Sequence, residues 1–325
     1  MMSDTHMKFL RVLIALAVLQ LAPALVCAQA FPAGDVRLLV GYEPGGGTDI
    51  TARVFAARLQ AHLGVTVIVE NRPGALGQIA AQFVSRQPPN GRTLLFATSS
   101  AILAGPHLQP GFNPLKELAA VSLLTRFPGV LVVPASSPLK TIEDVIAEAR
   151  RNPGKLTYAT SGNGSMNHLA GEMLNKMTGI EMIHVPYKGS GPALTALMGK
   201  HVDMSFAAIQ GAVPRIRSGD FRALGVDGAE RSPVLPEVRS IREAGFPDYG
   251  ISNWMGVFGP PQLPGELAMQ IRNAFAEALK SQEVRKVILN DGQTIVGSTP
   301  EQLQQEVARE FDKIGALVRS LNLAK

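Results

Sequence analysis

Three glycines in a row, Gly45-Gly46-Gly47, lead into Thr48 and Asp49 in the stretch VGYEPGGGTDI, Val40 to Ile50. The apolar run before them reads as a strand, and a helical pattern opens at about Asp49. The glycines therefore stand where backbone N–H groups are unpaired and the helix dipole favours negative charge. The chemistry open to such a loop is anion recognition. Its phosphate forms fail here: G-x-x-x-x-G-K-[ST] is absent, and G-x-G-x-x-G would need glycine where Ile50 stands.

A second stretch repeats the design. In LTYATSGNGSMNHLAGEML, Leu156 to Leu174, a strand runs into Ser161-Gly162-Asn163-Gly164-Ser165 and then into a helix. Asn167 occupies the third position of the dinucleotide pattern, so that motif fails too. A tight turn explains either loop alone. Two such loops in two domains point to a cleft that closes on a ligand from both sides.

Catalysis finds little to work with. G-x-S-x-G and H-E-x-x-H are absent, and His62, His107, His168, His184 and His201 show no metal-ligand spacing. Ser137 and Lys140 match S-x-x-K, but no S-D-N or K-T-G accompanies them. Glu143 and Asp144 read as helix-start carboxylates rather than an acid/base pair.

The elements that must position these loops alternate. Apolar runs of four to six residues separate stretches of helical period, which predicts an α/β protein with mainly parallel sheets flanked by helices. Strands are expected at Val36–Val40, Val65–Glu70, Thr93–Thr98, Val121–Leu124, Val130–Val133, Leu156–Thr160, Glu181–Val185, Met204–Ala207, Ala223–Val226 and Met255–Gly259. Asp49–Leu63 reads as a helix stopped by Gly64, and Thr141 with Asp144 forms a capping box before another. The last helix has Thr299 as cap, Pro300 first and Gln302 closing the box. Leu303, Val307, Phe311, Ile314, Val318 and Leu321 line one of its faces, the stripe of a covering helix. Crossovers are expected at Val130–Pro138 and Ile251–Pro261. They divide the chain into a domain of 31–132 with 252–325 and an inserted domain of 133–251.

Residues 1–30 read as a secretory signal peptide: Lys8 and Arg11, an apolar run from Val12 to Val26, and a small-x-small site at Ala28-Gln29-Ala30. Cleavage is expected after Ala30, in keeping with a periplasmic location. The run is short for a membrane anchor, being broken by Gln20 and Pro23, and ALVC before Cys27 is a poor lipobox. Cys27 is the sole cysteine, so the mature chain has no disulfide, zinc-thiolate site or Cys nucleophile. The formal charge of +5 is scattered, with no Lys/Arg block to suggest nucleic acid.

Taken together, PGGGTDITAR (44–53), VIVENRPGALGQIAA (67–81), LTYATSGNGSMNHLAGE (156–172), HVPYKGSGPALTALMGKHVDMSF (184–206) and FRALGVDGAERSPVLPEV (221–238) carry a resemblance. The chain resembles the Bug extracytoplasmic solute receptors, the substrate-binding components of tripartite tricarboxylate transporters, over its whole mature length. The resemblance implies a two-domain periplasmic binding protein, a type II clamshell closing over a small carboxylate-bearing ligand. It implies no cofactor and no metal, and a carboxylate held by backbone amides and ordered waters rather than by an arginine.

By position, the resemblance gives Tyr42, Gly46, Gly47, Thr48 and Asp49 as one wall, extended by Ser99 and Ser100. Ser161, Gly162, Asn163, Gly164, Ser165 and His168 form the opposing wall; Tyr187, Lys188 and Gly189 approach from the next loop, with Asp203 below. Each has a plainer alternative: Asp49 as a helix cap, His168 and Tyr187 as packed rings, Lys188 as a solvated side chain, Asp203 as a turn residue. Glu43 departs from the family's usual small residue or proline. Facing the cleft it would repel a second carboxylate; facing solvent it has no bearing on the ligand.

The function expected is a binding receptor, not an enzyme, that delivers a small carboxylate, amino acid or related metabolite to a membrane transporter. A ligand-sensing protein that docks on a sensor kinase is the alternative, and a secreted enzyme would need an acid, base or nucleophile that is not evident. A monomer is expected.

Overall fold

A computed structural model describes residues 31, 34–228 and 230–323; the expected signal segment, with Cys27, lies outside the described residues. The first part of the chain runs β1 (Val36–Val40), α1 (Gly47–Leu63), β2 (Val67–Asn71), α2 (Gln78–Ser85) and β3 (Thr93–Thr98). A π-turn (Ser100–Ala104), α3 (Gly105–Leu108) and α4 (Pro114–Glu117) lead to β4 (Ala119–Phe127). The second part comprises β5 (Gly129–Pro134), α5 (Ile142–Arg151), β6 (Thr157–Thr160), α6 (Met166–Thr178) and β7 (Ile183–Pro186). It continues through α7 (Ser190–Met198), β8 (Met204–Ala208), α8 (Ile209–Arg217) and β9 (Phe221–Val226). The chain then returns as β10 (Asn253–Gly259), α9 (Gly265–Lys280), α10 (Gln282–Asn290), β11 (Thr294–Ile295) and α11 (Pro300–Ser320).

These strands make two sheets, ordered β11-β4-β10-β3-β1-β2 and β7-β6-β8-β5-β9. Both are mixed. The β-α-β portions are parallel, with β1 between β2 and β3 and β6 between β7 and β8. Antiparallel pairing enters with the strands that pass between the sheets: β10 against β3 and β4, and β5 against β8 and β9. The expected parallel order thus holds wherever a helix carries the chain back, and gives way where a strand arrives from the other domain.

Alternation along the strands fills both faces of the first sheet. Leu38, Val40 and Phe96 share a core with Phe55 of α1 and Phe275 of α9, and Phe55 lies 5.9 Å from Phe96 and 5.7 Å from Phe275 between ring centres. Leu39 and Leu95 belong to the opposite core with Val84 of α2 and Leu303, Val307, Ile314 and Val318 of α11. The expected covering helix is present with its reciprocal capping box at Thr299 and Gln302, as is the box at Thr141 and Asp144.

The chain passes between sheets at Phe127–Gly129 and again at Ile251–Asn253. The first passage comes earlier than the boundary expected at 132/133, because β5 pairs with β8 and β9 and so belongs wholly to the second domain. The two passages lie side by side, Asn253 opposite Phe127. Gly129 and Asp227 lock together there: the Gly129 amide donates to the Asp227 carboxylate, and the Asp227 amide donates 2.9 Å to the Gly129 carbonyl. Any Cβ at Gly129 would fall within that carboxylate, which fixes glycine at the position.

Candidate functional site

The carboxyl ends of β1–β3 and β6–β8 face each other, the crevice in which open α/β sheets place their ligands. Three contacts define it. The Met166 amide, first in α6, donates 3.2 Å to the Ser100 hydroxyl of the other domain. A Cβ at Gly164 would fall only 1.8 Å from Leu108 Cδ1 and 3.3 Å from Leu76 Cδ1, so glycine there makes room for two leucines from across the crevice. Gln210, second in α8, lies with its Cγ 2.9 Å from where a Cβ at Gly47 would stand. The N-termini of α1 and α2 on one side and of α6, α7 and α8 on the other converge here, each carrying unpaired N–H groups and roughly half a positive charge.

The glycine loop after β1 is held from beneath by Asp49. Its carboxylate is buried and accepts from the Gly45 amide (2.9 Å), Arg53 Nε (2.9 Å) and Asn71 Nδ2 (2.8 Å). Burial opposes its ionisation, but those bonds outweigh burial and hold the carboxyl below its usual range. Asn71 Nδ2 also donates 3.0 Å to the Tyr42 carbonyl, so Asp49 and Asn71 fasten both ends of the loop. The Asp49 side chain thus serves the loop's shape rather than presenting charge to the crevice. Gly46, Gly47 and Thr48 are half-buried at the rim, whereas Glu43 is exposed. The Tyr42 hydroxyl pairs with Thr98 Oγ1 at 2.6 Å and donates 3.0 Å to the Leu76 carbonyl, and burial pushes its pKa up to about 12. Ser99 is buried and accepts from the Trp254 amide at 3.4 Å, which ties it to β10; Ser100 reaches across instead.

On the opposing side, Gly162 and Gly164 have φ of +133° and +74°. Ser165 caps α6 by accepting from the His168 amide at 3.2 Å, and His168 Nδ1 accepts from the Gly164 amide at 2.9 Å. That bond requires a neutral ring. His168 stacks on His184 at 3.7 Å and 15°, and His184 Nε2 pairs with Thr160 Oγ1 at 2.7 Å. Thr160 in turn accepts from the Gly162 amide at 3.2 Å. A chain of polar contacts therefore runs under the whole loop. Burial pushes the His168 pKa down to about 4, and burial together with His168 pushes that of His184 to about 3. His168 is a packed, loop-shaping histidine. Ser161 and exposed Asn163 remain at the loop tip without a side-chain hydrogen bond among the described residues. Tyr187 is half-buried against the core, its amide bonded to the Thr160 carbonyl at 3.1 Å; Lys188 is exposed, and Gly189 has φ +111° just before α7.

Asp203 stands apart. Its carboxylate accepts from the Thr157 amide (2.8 Å) and hydroxyl (2.7 Å), at the start of β6, whereas the crevice lies at the end of that strand. It clamps the amino ends of β6 and β8 and does not reach the crevice. Sequence reasoning also missed residues that do reach it. Leu76 and Ala75 adopt φ of +57° and +49°, a strained left-handed pair that carries Leu76 against Gly162 and Gly164. Gln210 Oε1 is buried without a partner among the described residues. The available signal was positional: Gln210, like Tyr42 and Ser99, closely follows an apolar strand. Ser137 and Lys140, the S-x-x-K match, lie in a turn in which the Ser137 hydroxyl accepts from the Leu139 amide. No cluster of three metal-ligating side chains occurs among the described residues, and no helix there is long and apolar enough to cross a membrane.

Two α/β domains joined by paired strands, with helix N-termini aimed into the crevice, define the solute-binding receptor class. The profile of the tripartite tricarboxylate transporter family receptor matches residues 51–323, and the chain belongs to that family. It is 35% identical over 297 residues to Protein BugT of Bordetella pertussis, covering 90% of this chain and 91% of BugT. Among solved structures it is similar to an R. palustris protein with adipate, at TM-score 0.85 and 31% identity over 90% of this chain and 99% of that one. It is also similar to MatC of Rhodopseudomonas palustris with bound malate, at TM-score 0.83 and 31% identity over 89% and 100%. The family is one of transporter receptors, and the chain is a receptor rather than an enzyme.

Proposed function

We propose that this protein captures a small carboxylate-bearing solute between its two domains in the periplasm and delivers it to a tripartite tricarboxylate-type transporter. The observation that carries the reading is the convergence of helix starts on a crevice whose walls supply backbone and hydroxyl donors, with Lys188, exposed at its edge, as the one cation among the wall positions. Such donors bind a carboxylate with charge-assisted hydrogen bonds and leave no buried cation unpaired when the solute departs. Adipate and malate, bound by the two similar proteins, set the size of solute to try first. Exposed Glu43 leaves the crevice free to accept a second carboxylate.

Native mass spectrometry of the 31–325 protein, followed by thermal-shift screening against dicarboxylates, amino acids and nicotinate-like acids, tests this. A carboxylate that raises the melting temperature in a concentration-dependent way supports it, with about 2.7 kcal/mol of stabilisation expected at a hundred times the dissociation constant. Turnover of the bound solute, or indifference to every carboxylate, would overturn it.

A further inference from the structure

Gly45 and Gly47 are glycine for different reasons. Gly45 has φ of +82°, which favours glycine on backbone grounds. Gly47 is the first residue of α1 and lies outside the left-handed region, so its backbone would accept any residue. What excludes a side chain there is Gln210 of the other domain. A Cβ at Gly47 would stand 2.9 Å from Gln210 Cγ, 3.4 Å from its Nε2 and 3.6 Å from its Cδ. The glutamine side chain therefore rests along the bare Cα of the glycine loop. This contact exists only while the two domains are together, because Gln210 belongs to α8 of the inserted domain and Gly47 to α1 of the first.

Most polar side chains of the crevice walls are already engaged. Tyr42 pairs with Thr98, Asp49 with Arg53 and Asn71, Ser100 with the Met166 amide, and His168 with the Gly164 amide. Gln210 is not. Its Nε2 has no hydrogen bond among the described residues and, unlike its Oε1, is not closed off from solvent. The amide nitrogen thus lies beside the first N–H groups of α1, which are free as well, and faces them from the opposite wall. A carboxylate seated on those N–H groups comes within reach of a neutral donor from the second domain, one that leaves no stranded charge when the solute departs.

We propose that Gln210 is a specificity-determining residue of the crevice, donating through Nε2 to the solute carboxylate held by the glycine loop once the domains close. The proposal rests on the reading of the crevice as a carboxylate site. Because the donor and the loop belong to different domains, this bond forms only in the closed arrangement and so draws the domains together around the solute. It also sets orientation: the end of the solute that accepts hydrogen bonds, not an ammonium end, faces α1.

Malate, adipate, glutamate and nicotinate, each titrated by calorimetry into the 31–325 protein and into Gln210→Met and Gln210→Glu, test this. Both replacements keep the length of the side chain and its packing on Gly47, so a role in packing alone would leave affinity unmoved. Methionine removes the donor, and glutamate sets a negative charge in its place. Weakening of a bound solute by at least tenfold in Gln210→Met, and by more in Gln210→Glu, supports the proposal. Unfolding midpoints measured without solute check that both variants are folded. Gly47→Ala, which displaces the amide without altering Gln210, gives a second measurement and should weaken binding as well. Affinity unchanged in folded Gln210→Met overturns the role of Gln210 and leaves the carboxylate reading standing. Failure of the wild-type protein to bind any of the four overturns both.

Discussion

Ser100 and Met166 join the two domains by one hydrogen bond, 3.2 Å from the first amide of α6 to the hydroxyl at the end of β3. The bond occupies an N–H that would otherwise face the crevice, so it favours the closed arrangement even without solute. Ser100→Ala should lower the preference for closure by about 1 kcal/mol, the usual net value of such a bond. Small-angle scattering of the solute-free protein should then show a larger radius of gyration. An unchanged radius would mean the bond does not hold the domains together.

Gly164 should tolerate no side chain. Its φ of +74° strains any other residue, and a Cβ there meets Leu108. Gly164→Ala is expected to weaken solute binding at least tenfold by calorimetry while leaving most of the thermal stability intact. Leu108→Ala in the same chain should restore part of the affinity by clearing the contact.

Asp49 is expected to act without touching solute. Asp49→Ala leaves the Gly45 amide, Arg53 and Asn71 without their acceptor and should cost about 2 kcal/mol in chemical denaturation. Asp49→Asn keeps an acceptor for Gly45 and should lose less. Equal losses in the two variants would argue against the clamp.

Stability should depend on pH through two opposed groups. His168 and His184 have folded pKa values well below 6.5, so their contribution is complete above that value and falls away as pH drops toward 4. Asp227 has its pKa raised by burial to about 7; its contribution is complete near pH 4 and is lost as pH rises to 7. Denaturation curves across this window should steepen in their rise with pH in Asp227→Asn and flatten in His168→Asn. The reverse pattern would contradict these assignments.

Much of this architecture could be read from the chain. All ten expected strands are present, because each is a short apolar run bounded by turn residues, and both capping boxes are in place because a cap is a local matter of two side chains. β11 escaped because two residues carry no pattern. The passage at Pro128 was placed late because β5 is apolar throughout and nothing in its sequence says which sheet it joins. At the crevice, the glycines were legible from composition and spacing. The roles of Asp49 and His168 were not, since an inward-facing and an outward-facing polar side chain look alike in sequence. Asp203 misled for the opposite reason: it neighbours the right strand but at its wrong end. Leu76 and Leu108 are apolar residues in loops, and only the tertiary fold shows what glycine they lie against.

The position of β10 bears on how the chain assembles. It sits between β3 and β4, yet it is made only after the entire inserted domain has been completed. Until it arrives, β3 and β4 each offer an unpaired edge, and the first domain cannot finish its central sheet. The inserted domain needs no strand from outside and can form first. The first domain must therefore wait for a partner more than a hundred residues downstream, a high-contact-order step that slows folding and exposes strand edges. A folding chain would pass through a state with one finished half and one gaping sheet, so protection from aggregation matters most before Asn253–Gly259 slots home.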